Sequence, residues 1–347
     1  MIGAGILGSR HARVLHELAG ARLVAVADLD EPRARDVATR YGARAYEDYG
    51  AMIRELGPGG SGELDAVTIA TPDFLHVDPV MAALEADLDV FVEKPLAMTL
   101  HDARRMARRA AERARLLVVN YSQRWLPEHR RIESLVREGG LGKIAFVESH
   151  RWDAAWVPER MISWASRTTP IHFMSSHDID LIVHWLGERV ETVQAVAHRG
   201  ALAATGLSGV VDGYAAILRF SSGAVASLHS SWILPETFPA AADAHLEMIG
   251  AAGAVWLEGN AREMRLYSGG HSERLGFGGP VTATEVNGRL EGAFTESLRA
   301  FLGAARDRDL TTPTAASNTL HVVEVQEAIV RAAESGSTER LAEGDDE

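Results

Sequence analysis

Through the first third of the chain, apolar runs of three to five residues alternate with stretches of helical period. Residues 23–27, 66–70, 90–92 and 116–119 read as buried strands, and the amphipathic stretches between them as helices. That alternation predicts βαβ units around a parallel sheet. Local punctuation agrees. Pro32 stands in the first turn of a helix opened by Glu31, Thr99 and Asp102 form a capping pair ahead of an arginine-rich helix at 103–115, and the glycine-rich stretch 57–62 reads as a surface loop.

After Tyr121 the pattern changes. A helix is expected at 127–138, closed by Gly139 and Gly140, then a strand at 143–151. Strand-like runs follow one another at 214–220, 224–233 and 245–249, separated by Ser-Ser-Gly and Ala-Ala-Gly turns, and two helices are expected at 290–306 and 315–334. Successive strands flanked by helices predict an α+β domain with a large, mostly antiparallel sheet.

The start of the chain adds chemistry. Gly3, Ala4, Gly5, Ile6, Leu7 and Gly8 spell a G-x-G-x-x-G turn, and Asp28 follows twenty positions after its last glycine. Gly3 permits the tight turn, Gly5 lets the backbone approach a pyrophosphate, Gly8 lets the next helix pack closely, and the helix start carrying Ile6 and Leu7 faces the anion. Asp28 is placed to accept hydrogen bonds from ribose hydroxyls. The reading is a Rossmann domain that binds NAD; the carboxylate disfavours the 2′-phosphate of NADP, while Arg33 and Arg35 leave room for it.

Only Met1 and Ile2 precede Gly3, whereas a first parallel strand needs about five residues. The strand is therefore expected to be truncated, with its neighbours' hydrogen bonds unmade and NAD binding weak until about five to eight upstream residues are restored. The organisation read from the chain is a dinucleotide-binding domain at 1–121, an α+β domain for substrate binding and oligomerisation at 122–340, and an acidic, disordered tail at 341–347.

Composition narrows the function classes. At 347 residues, 46% hydrophobic and 24% charged, the chain is sized for two cored domains. No apolar run approaches the ~18 residues of a membrane span, and no secretion signal is visible, so a cytoplasmic protein with no membrane partner is expected. Zero cysteines exclude disulfides, thiolate catalysis and cysteine-bound metals, and a net charge of −13 argues against a nucleic-acid partner. Lys94 and Lys143 are the only lysines, so either one stands out.

Two further segments carry a resemblance: Asp65-Ala66-Val67-Thr68-Ile69-Ala70-Thr71-Pro72 with His76, and Val92-Glu93-Lys94-Pro95-Leu96. Together with Asn120-Tyr121-Ser122-Gln123-Arg124-Trp125-Leu126-Pro127, Gly139 to Ile144, His177-Asp178-Ile179-Asp180-Leu181 and Trp185-Leu186-Gly187, they resemble the Gfo/Idh/MocA oxidoreductases over nearly the whole chain. The resemblance implies a Thr71-Pro72 turn beside the cofactor, Lys94 as a catalytic and substrate-binding residue, and His177 as general acid/base. Its implied activity is hydride transfer between a sugar, sugar-acid or cyclitol CH–OH and NAD(P). A redox glycosidase using tightly held NAD, or a non-catalytic ligand sensor, are the alternatives.

The residues read physically in the same direction. Both segments follow buried strands at their carboxyl ends, where ligands bind in open α/β sheets, so both are expected to line one crevice. There a lysine ammonium can hydrogen-bond a carbinol oxygen and stabilise alkoxide character as the hydride leaves. His177 follows Ser175 and Ser176, which mark a helix N-terminus, and a histidine titrating near about 6.5 can take and return the hydroxyl proton.

On the cofactor side the candidates are thus the glycine turn, Asp28, Thr71, Pro72, His76, Glu93 and Lys94, with Glu93 read as structural and paired with an arginine. On the substrate side they are Lys94, Arg124, Arg151, Trp152, His172 and His177. Arg124, Arg151 and Trp152 are expected to face the nicotinamide end, arginine forking onto hydroxyls and indole stacking on a sugar's C–H face. Trp156, Trp164, Trp232 and His229 are open between core and site.

Many family members carry aspartate four residues before the histidine, where this chain has Phe173. Either Lys94 and His177 suffice, or His172 or Asp178 joins them, or the chemistry has changed, with Phe173 lining the substrate or lying in the core. His172, His177 and Asp178 match no common metal-ligand spacing, so no metal is expected. Apolar residues on both sides of the later strands, on a face that relatives use for assembly, predict a homodimer or homotetramer.

Overall fold

The computed structural model of the chain describes residues 1–259, 263–268, 271–276 and 283–342. The expected disordered tail at 343–347 lies outside the described residues. In chain order the structure runs α1 (Ile6–Glu17), β1 (Ala25–Ala27), α2 (Glu31–Tyr41), β2 (Arg44–Tyr46), α3 (Tyr49–Leu56), β3 (Ala66–Ile69), α4 (Val77–Glu85), β4 (Asp89–Val92), α5 (Leu100–Glu112) and β5 (Leu117–Val119). Then come α6 (Pro127–Arg137), β6 (Ile144–Ala154), α7 (Pro170–Phe173), α8 (Ser176–Leu186), β7 (Val190–His198), β8 (Gly213–Phe220), β9 (Val225–Leu234) and β10 (Ala242–Gly250). The chain continues through β11 (Gly253–Glu258), β12 (Glu263–Ser268), β13 (His271–Gly276), β14 (Thr284–Val286), β15 (Arg289–Glu291), α9 (Ala293–Asp307), α10 (Leu320–Ser335) and β16 (Glu339–Arg340).

Two compact units emerge, and they do not follow chain order: Met1–Trp125 joins Pro280–Leu320, and Leu126–Gly279 joins His321–Glu347. The first is a Rossmann-like unit. β1 pairs with β2, and β3, β4 and β5 pair in that order, all in parallel. Between the two sets sits the first segment of the chain. Ile2 bridges both Ala27 and Ile69 in parallel, with Gly3 N–H donating to the Ala27 carbonyl at 2.8 Å and Ala70 N–H to the Ile2 carbonyl at 2.9 Å. The bonds expected to be unmade are therefore made over this short stretch. Its two neighbours are themselves short, β1 with three residues and β3 with four, so Met1 to Gly3 reach ladder partners on both sides.

Helix α9 belongs to this unit rather than to the second domain, where a boundary at residue 121 had put it. Phe294, Leu298 and Phe301 share one buried cluster with Val14, Leu18, Phe91, Leu116 and Val118. The capping pair is seen as expected: Thr99 Oγ1 accepts the Asp102 N–H at 3.2 Å and opens α5.

The second unit is built on a nine-stranded sheet, ordered β13-β12-β11-β10-β6-β9-β8-β7-β16. Every neighbouring pair is antiparallel except β6 with β9. Alternation along the strands turns Val147, Ala226, Leu228, Leu218, Leu246 and Met248 into the core, on the face covered by helices. α7 and α8 pack on that face, and α8 ends at Gly187 with φ +63, the left-handed geometry that suits glycine. Among the described residues no helix is long and apolar enough to cross a membrane.

Candidate active site

In the Rossmann-like unit the glycine turn is shaped for close approach. A Cβ on Gly3, whose φ is +86, would lie 2.6 Å from the Ala70 carbonyl oxygen, and one on Gly8 would collide with the Gly3 carbonyl. A Cβ on Gly5 would meet nothing within 4 Å, so the space above it is open. α1 begins directly after Gly5 with no side-chain cap, leaving its first amide N–H groups directed at that space. The geometry fits a pyrophosphate. Ile6, 61% exposed, stands at the lip, while the Leu7 side chain packs against the core.

Asp28 is half-buried at the end of β1. Its Oδ2 accepts the Ala4 N–H at 2.7 Å and its Oδ1 the Asp30 N–H at 2.9 Å, so the carboxylate also pins the glycine turn. Arg33 lies 3.7 Å from Oδ2 and pairs with Asp30 at 2.7 Å, whereas Arg35 pairs along its own helix with Glu31. Leu29, which the sequence reading passed over, is 81% exposed beside Asp28 and offers an apolar surface to a flat ring.

The Thr71-Pro72 turn and the Glu93-Lys94-Pro95 segment follow β3 and β4. His76, expected at the cofactor, is 1% exposed and instead ties these two loops together. Its ring nitrogens lie 2.7 Å from the Pro95 carbonyl oxygen and 3.1 Å from that of Thr71. Burial pushes this imidazole below its ordinary value. Glu93, 5% exposed, does not pair with an arginine: Oε1 accepts from Asn120 Nδ2 at 2.7 Å and lies 2.8 Å from His11 Nε2. Burial would raise its carboxyl, but the hydrogen bonds from His11 and Asn120 and the nearby positive charges hold it below the usual carboxylate range. Lys94 between these anchors is half-buried. Arg124 Nη1 donates to the Pro313 carbonyl at 3.0 Å.

His11 and Asn120 were missed as site residues. The signal was there: His11 lies on the α1 face that also buries Gly8, Ala12 and Val14, where an unpaired imidazole would be costly.

In the second unit, Arg151 and Asp178 form a pair with Nε–Oδ2 at 2.7 Å and Nη2–Oδ1 at 2.9 Å, and Ser149 Oγ donates to the same carboxylate at 3.3 Å. Asp178 thus occupies the first turn of α8 as a counter-charge, while its neighbour His177 is partly exposed. Ser175 sits at the N-cap as expected, without a side-chain cap bond. His172 is buried on α7, its Nδ1 2.9 Å from Thr169 Oγ1. Phe173 packs against a cluster that includes Ile162, Met174, Leu202 and Trp232, its ring centroid 6.2 Å from that of the fully buried Trp232.

Trp152 does not join this group. Successive strand residues face opposite sides of a sheet, so with Arg151 toward the helices Trp152 lies on the other face, stacked on His150 at 4.1 Å. The structure brings Arg151 and Asp178 together and leaves Trp152 apart. Among the described residues no group of three or more His, Asp or Glu is placed to hold a metal ion.

Comparison with known proteins agrees with both units. The chain is 35% identical over 195 residues to an inositol 2-dehydrogenase of Rubrobacter xylanophilus, a stretch covering 56% of this chain and 53% of that relative. It is 27% identical to inositol 2-dehydrogenase 1 of Saccharopolyspora erythraea, across 97% of this chain and 94% of the relative. The crystal structure of myo-inositol 2-dehydrogenase from Lactobacillus plantarum shares the fold with a TM-score of 0.79 at 21% identity, covering 98% of each chain. Residues 1–121 match the Gfo/Idh/MocA oxidoreductase family in its NAD-binding Rossmann fold, and residues 129–256 match the Gfo/Idh/MocA C-terminal domain. The chain belongs to the Gfo/Idh/MocA family of oxidoreductases.

Proposed function

We propose that this chain is an NAD-dependent dehydrogenase acting on a CH–OH group of a polyol, in a sugar, sugar acid or cyclitol. The observation that carries the reading is the open, uncapped helix start above Gly5 with Asp28 beside it, in the unit that also holds Lys94 between two anchored neighbours. The α1 amides and Asp28 would hold the pyrophosphate and the adenosine ribose. NAD, when bound, accepts hydride from the carbinol carbon or returns it. Lys94 donates a hydrogen bond to the carbinol oxygen and stabilises its developing negative charge. His177 takes the hydroxyl proton in oxidation and gives it back in reduction. Phe173, lacking a polar group, holds no proton in this scheme.

The names of the relatives make myo-inositol the first probe. Purified protein, NAD and a panel of inositols, sugars and sugar acids should give NADH with at least one member. Release of free sugar from a glycoside without net NADH would favour the redox glycosidase, and ligand binding with neither outcome the sensor.

Asp28 sets the cofactor preference in this reading. Asp28→Ala should weaken NAD by about tenfold or more, since it removes a ribose acceptor and the anchor of Ala4, while NADP improves relative to NAD. Calorimetric titration of both cofactors checks this; an unchanged ratio would show that Asp28 does not read the ribose.

The helix-free face of the nine-stranded sheet supports assembly with further copies of the chain. Phe146, Val196, Ile217, Ile233, Ile249 and Tyr267 on that face are 37–67% exposed. We expect a homodimer or homotetramer that buries them. Light scattering should give a multiple of the chain mass, reduced by Ile217→Glu; a single-chain mass at micromolar concentration would overturn it. A cytoplasmic setting goes with this reading, since NAD is held there.

A further inference from the structure

A buried polar chain crosses the Rossmann-like unit beneath Lys94. His11 on α1 reaches Glu93 at 2.8 Å, Asn120 Nδ2 reaches the same Oε1 at 2.7 Å, and Ser297 Oγ on α9 donates to Asn120 Oδ1 at 2.8 Å. His11 is fully buried, and Glu93, Asn120 and Ser297 are at most 5% exposed. The His11 ring is held edge-on by Phe91 at 5.6 Å and Phe294 at 5.1 Å. On the other side His76 fixes the Pro95 carbonyl, with Asp73 close enough to act on that imidazole. Lys94 is thus the residue between a clamped carboxylate and a clamped carbonyl.

A carboxylate buried this deeply is retained at a cost that hydrogen bonds must offset. Two side chains from separate elements meet it here, and a third, Ser297, fixes one of them, which is more support than tethering one loop requires. The charges of Glu93 and Lys94 also act on each other: after the hydrogen bond and charge of His11 and the hydrogen bond of Asn120, the Lys94 ammonium is the smallest of the named causes that hold the Glu93 carboxyl low. Such an interaction is mutual, so a carboxylate kept ionised favours the protonated lysine in return.

We propose that Glu93 is the fixed counter-charge of Lys94, and that His11 and Asn120 are positioning residues that hold this carboxylate in place. The proposal rests on the reading of Lys94 above and sharpens it. Lys94 then works as an ammonium hydrogen-bond donor through the working pH range, and the proton moves through His177 alone. It also links α1, whose N-terminus faces the cofactor, to the reacting end of β4 through one continuous set of hydrogen bonds.

The two lysines of this chain allow a test that needs neither substrate nor NADH. Competitive acetylation with acetic anhydride, followed by mass spectrometry, reads Lys94 against the exposed Lys143 across neutral to alkaline pH. Access to the amine scales its rate alike at every pH, so the pH midpoint reports its charge. In Glu93→Gln the Lys94 to Lys143 ratio, at a pH where both are mainly protonated, should rise about tenfold, equivalent to about one pKa unit. His11→Phe, which keeps a ring between Phe91 and Phe294 but removes the donor, should raise it about two- to threefold.

A ratio within twofold of wild type in a folded Glu93→Gln protein would overturn the proposal. If that variant does not fold, the wild type decides: a Lys94 midpoint a full unit below that of Lys143 would equally sink it. Absence of any polyol turnover would count against the dehydrogenase reading and leave the labelling result standing.

Discussion

Lys94→Ala should lower turnover of a confirmed substrate by about a hundredfold or more while leaving NAD affinity within a few-fold. A hundredfold corresponds to about 2.7 kcal/mol of transition-state stabilisation, the size of one well-placed donor to a developing oxyanion. The separation of effects follows from where the groups lie in the first unit. In the proposed reading the α1 amides would meet the cofactor's anion and Asp28 its ribose, all at the glycine turn, whereas Lys94 follows β4. Its backbone is held independently of its side chain, through His76 on Pro95 and through His11 and Asn120 on Glu93, so alanine should not disturb the loop. Steady-state kinetics with a calorimetric NAD titration checks this, and the loss should fall on kcat and kcat/KM alike. Unchanged turnover would remove Lys94 from the mechanism.

The glycine turn, Asp28 and the strand-end segments were readable in the sequence because each is local: a turn, a helix start and a strand end lie within a few residues of one another. Four strands of the second sheet, β6, β8, β9 and β10, were readable for the same reason, as strand-like runs between turns. β2 was not, since Arg44-Ala45-Tyr46 is a three-residue edge strand with no apolar run. What failed were inferences across distance. Nothing local says that α9 packs with Val14 and Phe91, or that Ser297 completes a chain begun at His11. The joint assignment of Arg151 and Trp152 to one site failed on the simplest rule, the alternation of a strand, because both residues were weighed by chemistry and not by face. Charge alone suggests an arginine for Glu93, but the space beside Phe91 and Phe294 admits the smaller, flatter His11 instead.

The Arg151 and Asp178 pair should show its importance in stability. Their side chains are 14% and 6% exposed, and two hydrogen bonds join them. Removing one partner leaves the other charge buried and unmatched, which costs about 3 to 5 kcal/mol. Asp178 also supplies negative charge to the first turn of α8, whose N-cap Ser175 makes no side-chain bond. Asp178→Ala should therefore lower the melting temperature by on the order of 10 °C, at about 2 to 4 °C per kcal/mol for a unit of this size. Replacing both residues by apolar ones of similar volume, Arg151→Met with Asp178→Leu, should restore much of that loss, since no buried charge is then left alone. Thermal melts of the single and double variants measure the coupling directly. The same result bears on chemistry. A carboxylate committed to a guanidinium at 2.7 and 2.9 Å is poorly placed to carry protons, which supports the proposed assignment of that task to His177. If Asp178→Ala melts within a degree or two of wild type, the pair is not an anchor of the second unit, and Asp178 becomes available to take the place of the family aspartate that Phe173 has vacated.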